Sequence, residues 1–453
     1  MDYNAQENPF LGPPGCATMH GDAQSSDSTP LPGPGANDWD IRSVQLGGAC
    51  PTVLVGSDGL VQVLVTQRLS SERVFFQPSI LILDPASGQP LAGLNIPKGA
   101  LLGGIYAYLD NQDRMVLADG SDMLIRVAHS ADGSRLWVDQ RVSLANLLQG
   151  DQVVGLTPDW QGNVWLATGN ARVALVSADG GTIAGIALSD APERVANSIS
   201  AAPDGVAVVT SRAIYLLNRD EQGRPYIRWR QPYDPGSHRK PGKLSAGSGA
   251  TPTFFGPSGS EFVMLTDNQD EQERLLVHST TDGSLLGVAE LFTPGHSATE
   301  NSAIGIGTSV ICANTWGYPY PRYPEGAGES QPRSGVMAPG IERWDLDRAG
   351  LTRRWAREDI YNAAVPRLSS ADGIIYTMQR PPLQIGSYQS NGLNVCALAL
   401  DAETGQTLHE QRLPGLATLF NLDPLQMAGT IDAQGTWWQG HIGGILRICR
   451  NAP

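Results

Sequence analysis

The chain has 453 residues, of which 45 are acidic and 31 basic, for a net charge of −14. Only Lys98, Lys240 and Lys243 are lysines, and no basic stripe tracks a phosphate backbone, so nucleic acid is not an expected partner. For the same reason an anionic membrane is not expected either; no window has the length and apolarity of a membrane-spanning helix, and no leader-type apolar region is present, which leaves the cytoplasm, or the periplasm or exterior if a leader has been cut away.

Residues 1–39 are rich in Pro, Gly, Ser and Asp and read as an irregular arm, not a packed element. Residues 40–46 (DIRSVQL) look like a strand with no partner nearby in sequence. From there one pattern recurs: ILILDPASGQPLAGLNI at 80–96, MLIRVAHSADGSRLWVDQRV at 123–142, VALVSADGGTIAGIAL at 173–188, AIYLLNRDEQGRPYIRWRQ at 213–231, LLVHSTTDGSLLGVAEL at 275–291 and LNVCALALDAETGQTLHEQRL at 393–413. An alternating apolar strand runs into an Asp/Gly turn, and a more polar strand leaves it. Asp supplies a side-chain acceptor for the turn and Gly tolerates positive φ, so each copy is an antiparallel hairpin. Hairpins recurring every ~40 to 55 residues, each preceded by more strand, are the mark of propeller blades.

The blades are expected at 52–96, 103–143, 151–189, 194–231, 247–292, 300–357, 362–413 and 417–450. The expected fold is therefore all-β, a closed eight-bladed β-propeller over 40–453, or seven blades if the second and third are misread. The eighth shows only about three strands (LQMAGTI, TWWQGHI, GILRICR), so the strand at 40–46 is expected to complete it; an open edge would be costly. Of the five cysteines, Cys312, Cys396 and Cys449 lie in apolar strands as free thiols, while Cys16 and Cys50 flank the arm, either bridged or free.

These hairpins with ALDAETG-type turns resemble the quinoprotein alcohol dehydrogenase-like superfamily, whose eight-bladed propellers are built from such repeats. That superfamily implies PQQ held by a tryptophan floor, a vicinal disulfide and a metal-binding Glu/Asn/Asp set; no two cysteines are adjacent here, so PQQ is not expected. MHGDAQSSD at 19–27, PGKLSAGSGATPT at 241–253, MLTDNQD at 264–270, SATENSAIG at 297–305 and ICANTWGYPYP at 311–321 are similar to stretches of a group of bacterial propeller proteins, which implies a shared site.

In a propeller that site sits at the mouth of the central channel, where the inner strands converge. Residues entering the inner strands of blades four to six are Asn197, Ser198, Thr251, Glu300, Asn301 and Ser302. A carboxylate among amide oxygens suits a hard cation such as Ca²⁺, with Glu300, Asn197, Asp267 and Asn268 as expected ligands; in residue type the set resembles that of lactonase and gluconolactonase propellers. Strand-end capping is the alternative role for the same side chains. On the arm, His20 and Asp22 are candidates for a general acid/base pair, with Asp27 beside them. The insertion at 314–335 holds one Trp and three Tyr among Pro and Gly, and reads as a lid or wall in which Asn314, Trp316, Tyr318 and Tyr320 contact a ligand, with packing across a blade edge as the alternative. His238, Arg239, Lys240 and Lys243 read as a solvated loop, with a carboxylate or phosphate site as the alternative.

No GxSxG elbow, P-loop or GxGxxG after a strand is present, so neither a serine hydrolase nor a dinucleotide enzyme is expected. Two functions remain: metal-assisted hydrolysis of a lactone or ester, with a small, partly apolar molecule as substrate, or a non-catalytic propeller that binds a ligand or protein. An arm plugging an empty channel would favour the second. The oligomeric state stays open.

Overall fold

The repeated turn is built by its aspartate. In the last full copy the Asp401 carboxylate accepts the backbone N–H groups of Glu403 and Thr404 at 3.0 and 2.8 Å, while Asp401 N–H bonds the Gln406 carbonyl at 2.8 Å. Asp84, Asp132, Asp179, Asp220 and Asp282 do the same for their turns. The computed structural model describes residues 1–71, 73–99, 106–324, 326–385, 387–418 and 421–451. Residues 103–105, where the second blade was expected to begin, and 419–420 in the eighth lie outside these.

Eight antiparallel sheets form the ring. The inner strands are Gly48–Val55, Tyr108–Leu109, Val153–Pro158, Ser200–Ala202, Thr253–Phe255, Ile304–Ile306, Arg367–Ser369 and Gly429–Ile431. Second strands such as Val164–Thr168 are buried throughout, since other blades cover both faces. Outer strands such as Leu136–Ser143 alternate half-buried and exposed residues, as a one-sided strand must. In blades three and eight an aspartate at the first turn also accepts an indole N–H, Asp159 from Trp165 at 3.1 Å and Asp432 from Trp438 at 2.8 Å. Trp39–Gln45 pairs antiparallel with Gly444–Arg450, Ile41 opposite Ile448, and forms the outer strand of the eighth blade. The one helix among the described residues is the short Ala145–Leu148.

The arm departs from the expectation of an unpacked segment. Residues 20–29 are all buried. The Ala23 carbonyl accepts Ala201 N–H of blade four at 2.7 Å, Gln24 accepts Phe254 N–H of blade five at 3.0 Å, Ser26 accepts Gly305 N–H of blade six at 3.0 Å, and Asp27 accepts Leu368 N–H of blade seven at 3.0 Å. Ser28–Thr29 then runs parallel to the inner strand of blade seven. Inner strands of a ring have one edge with no strand beside it. The arm fills those edges, so its Pro-, Gly- and Ser-rich composition satisfies buried backbone groups. Cys16 and Cys50 are buried free thiols.

Candidate active site

Above the arm, at the end of the channel where the chain enters each inner strand, lies a cavity of about 460 Å³. Blade two contributes Tyr106, blade four Asn197, blade five Thr251, blade six Glu300, Asn301 and Ser302, and blade eight Gln426, with His20 of the arm in the floor. Tyr320, Pro321, Arg322 and Pro324 of the long insertion make one wall and Phe76 another. Apolar groups from Leu244, Val365, Met427 and Ile442 fill the spaces between.

His20 is set by the loop 20–27, which doubles back so that Asp27 N–H bonds the His20 carbonyl at 3.0 Å. The reversal requires Gly21, whose φ is +89° and where a Cβ would stand 2.5 Å from Arg367 Nη1. His20 Nδ1 lies 3.1 and 3.2 Å from the two Asp27 oxygens, and Ser302 Oγ bonds the same carboxylate. A carboxylate can only accept, so Nδ1 carries a hydrogen, and in the neutral ring Nε2 then keeps its lone pair. Nε2 is 3.3 Å from Thr251 Oγ1 and faces the cavity. The Asp27 charge is balanced by buried Arg367, whose Nη2 is 3.7 Å away.

Glu300 faces the same space. Burial pushes its carboxyl up to about 7, against the opposing pull of Lys243, the Leu244 N–H and the Asn197 amide. One of its oxygens, Oε2, is buried without a hydrogen-bond partner among the described residues. The group fits because residue 249 is glycine; a Cβ there would lie 1.9 Å from Oε2. Tyr106 donates to Asn197 Oδ1 at 2.7 Å, and Asn301 Nδ2 donates to Gln426 Oε1 at 3.0 Å. Behind Glu300, Lys243 and Glu273 form a fully buried pair at 2.9 Å.

The cavity thus brings together His20, Asn197, Thr251, Glu300, Asn301 and Tyr320, and leaves six other expected site residues out of its walls. Asp22 does not pair with His20. It accepts Ser26 N–H at 3.0 Å and Tyr3 O–H at 3.2 Å, with burial raising its carboxyl to about 6. Asp267 closes its own turn, accepting Arg274 N–H and Arg274 Nε–H, each at 2.7 Å. Asn268 donates to the Pro235 and His238 carbonyls at 2.8 and 2.9 Å. Two of the four expected metal ligands are therefore committed elsewhere, and no group of three or more His, Cys, Asp or Glu suited to a metal ion occurs among the described residues.

The insertion is likewise divided. Asn314 is a strut, donating to the His296 and Pro339 carbonyls at 2.9 and 3.0 Å. Trp316 is buried against His296, Ala298 and Ala338, and Tyr318 is buried with its hydroxyl on Asp423. Tyr320 alone of the expected aromatics reaches the cavity, packed on Tyr318 with ring centroids 4.9 Å apart. The loop 238–243 is not solvated: Lys240 and Lys243 are buried, and Arg239 donates to the Gly328 carbonyl at 3.1 Å and lies 4.3 Å from the Tyr323 ring, clamping the insertion. Sequence reading missed Asp27 as the partner of His20, and Phe76, Tyr106 and Gln426 as cavity walls. Tyr106 stands just before an inner strand, the same position that marked Asn197 and Glu300.

No family model matches the chain. It is 25% identical over 390 residues to an uncharacterised protein of Archaeoglobus fulgidus, covering 78% of this chain and 72% of that one. Among solved structures it is similar to quinohemoprotein alcohol dehydrogenase from Comamonas testosteroni, with a TM-score of 0.63 at 10% identity over 99% of this chain and 82% of that one. It is also similar to BamB from Moraxella catarrhalis, with a TM-score of 0.52 at 13% identity over 91% and 99%. These likenesses and the eight sheets establish the fold alone, a closed eight-bladed β-propeller.

Proposed function

We propose that the cavity is the active site of an enzyme performing acid–base chemistry on a small, partly apolar molecule. The observation that carries this reading is the line Asp27–His20–cavity: a carboxylate orients a histidine whose Nε2 touches Thr251 in the lining, in a space shared with a carboxyl that burial raises to about 7. Two groups of that kind suit one proton removal and one proton donation.

The reaction we favour is hydrolysis of an ester or lactone. His20 Nε2 takes a proton from water as its oxygen attacks the carbonyl carbon. Protonated Glu300 gives its proton to the departing alkoxide oxygen as the C–O bond breaks, and the imidazolium proton later returns to the Glu300 carboxylate through solvent. The reading calls on neither calcium nor PQQ, because Asp267 and Asn268 are engaged elsewhere and the five cysteines are separate free thiols.

The alternative is a ligand-binding propeller, favoured by the arm filling the channel beneath the cavity. A panel of lactones and esters assayed with wild type and His20→Ala decides. We expect turnover in the wild type that falls about a hundredfold in the variant. Equal rates in both proteins would overturn the acid–base reading, and tight ligand binding without turnover would favour the alternative.

A further inference from the structure

Two arginines line the cavity of an acidic chain. The net charge is −14, yet Arg68 and Arg322 both line the cavity, and Glu300 is the one carboxylate among its described lining residues. Arg322 is exposed, with its guanidinium carbon 4.0 Å from the centre of the Phe76 ring. Phe76 lies opposite Arg68 in the hairpin, since Gln67 pairs with Gln77 and Leu69 with Phe75. Lys98 approaches the same ring at 5.9 Å and donates to the Phe75 carbonyl at 3.2 Å. Two cations thus stand 4.0 and 5.9 Å from the centre of one aromatic ring, and Arg68 lies across the hairpin from it.

Phe76 holds this place at a cost. Its φ is +53°, a region that bulky L-residues rarely occupy. The strained backbone puts a ring on the cavity wall under Arg322, whose planar fork suits a carboxylate. The rest of the lining mixes apolar and aromatic groups with the polar side chains of Asn197, Asn301 and Gln426, alongside His20, Thr251 and Glu300.

We propose that the cavity selects molecules with a carboxylate at one end of an apolar body: the carboxylate sits at the rim between Arg322 and Arg68, the body lies against Phe76 and Tyr320, and the opposite end reaches His20 and Glu300. This rests on the acid–base reading only for what happens at the far end. The selection itself is a binding property.

The test is calorimetric titration with hydrocinnamate and with hydrocinnamyl alcohol, which share the apolar body and differ in the charged end. Wild type should bind the acid about tenfold tighter than the alcohol at low salt, with the preference shrinking as salt rises. The Arg68→Gln/Arg322→Gln protein should lose the preference while its affinity for the alcohol stays unchanged. Equal binding of the two probes by wild type, no binding of either, or a preference that survives the double substitution would overturn the proposal. His20→Ala separates this from the acid–base reading: it leaves the rim in place, so the acid preference should persist in that variant even where catalysis has failed.

Discussion

His20 and Asp27 stand seven residues apart on the arm, yet their side chains meet at 3.1 Å inside the channel of a ring built by the rest of the chain. The proposed base and the group that orients it therefore arrive together on one segment, while Thr251, Glu300 and Ser302 come from blades five and six.

That pairing distinguishes two aspartates. Asp27→Asn leaves His20 free to adopt the other tautomer and should lower kcat about a hundredfold with little change in KM. Asp22→Asn removes an acceptor for Ser26 and Tyr3 and should lower the melting temperature without changing kcat in the protein that remains folded. Steady-state kinetics and thermal melts on both variants check this; the reverse pattern would reassign the partner of His20.

Glu300 makes stability depend on pH. Its folded value, about 7, lies above that of the unfolded chain, so the folded state holds the proton more tightly. The contribution is fully present below the unfolded value and is lost as pH rises through about 7. Asp22, at about 6, acts in the same direction. Glu300→Gln keeps the neutral shape at every pH. It should melt roughly 2 °C above wild type near pH 8 and together with it near pH 4. Differential scanning calorimetry at the two pH values measures the difference, and a variant less stable at the higher pH would contradict the assignment.

The insertion should separate packing from binding. Trp316→Ala empties a buried site and should cost about 3–5 kcal/mol, read as a lower denaturant midpoint. Tyr320→Ala removes a cavity wall and should weaken hydrocinnamate binding several-fold with a smaller loss of stability. Denaturant melts and titrations on the two variants test this. Stronger binding loss in Trp316→Ala than in Tyr320→Ala would show the roles exchanged.

The arm should be indispensable to the ring. Deleting residues 1–38 strips acceptors from inner-strand N–H groups of blades four to seven, and should abolish the cooperative unfolding transition even though Trp39–Gln45 remains to close blade eight. A sharp transition in the truncated protein would show that water replaces the arm.

What the sequence disclosed follows from locality. The Asp-to-Gly turns are made by residues within six positions of one another, so the hairpins and their count were readable. The repeat also marks where each inner strand begins, which is why Asn197, Thr251 and Glu300 could be aligned before any geometry was known. The arm was not readable as packed, because its acceptors are matched by N–H groups roughly 175 to 340 residues away. Asp27 could not be told from Asp22 without the reversal at Gly21. Trp316 and Tyr318 share the composition of a lid and serve as its anchors, since aromatic density marks burial and binding alike. Lys243 looked solvated because its partner, Glu273, lies thirty residues on.

The central claim is that His20 Nε2 is the base of this cavity. The most direct measurement is the pH–rate profile of wild type and His20→Ala on the best substrate from the lactone and ester panel. The account predicts a bell-shaped wild-type profile whose descending limb lies near 7, where Glu300 loses its proton, and a loss of about a hundredfold at the maximum in the variant. A variant with the wild-type rate and the same bell would contradict it.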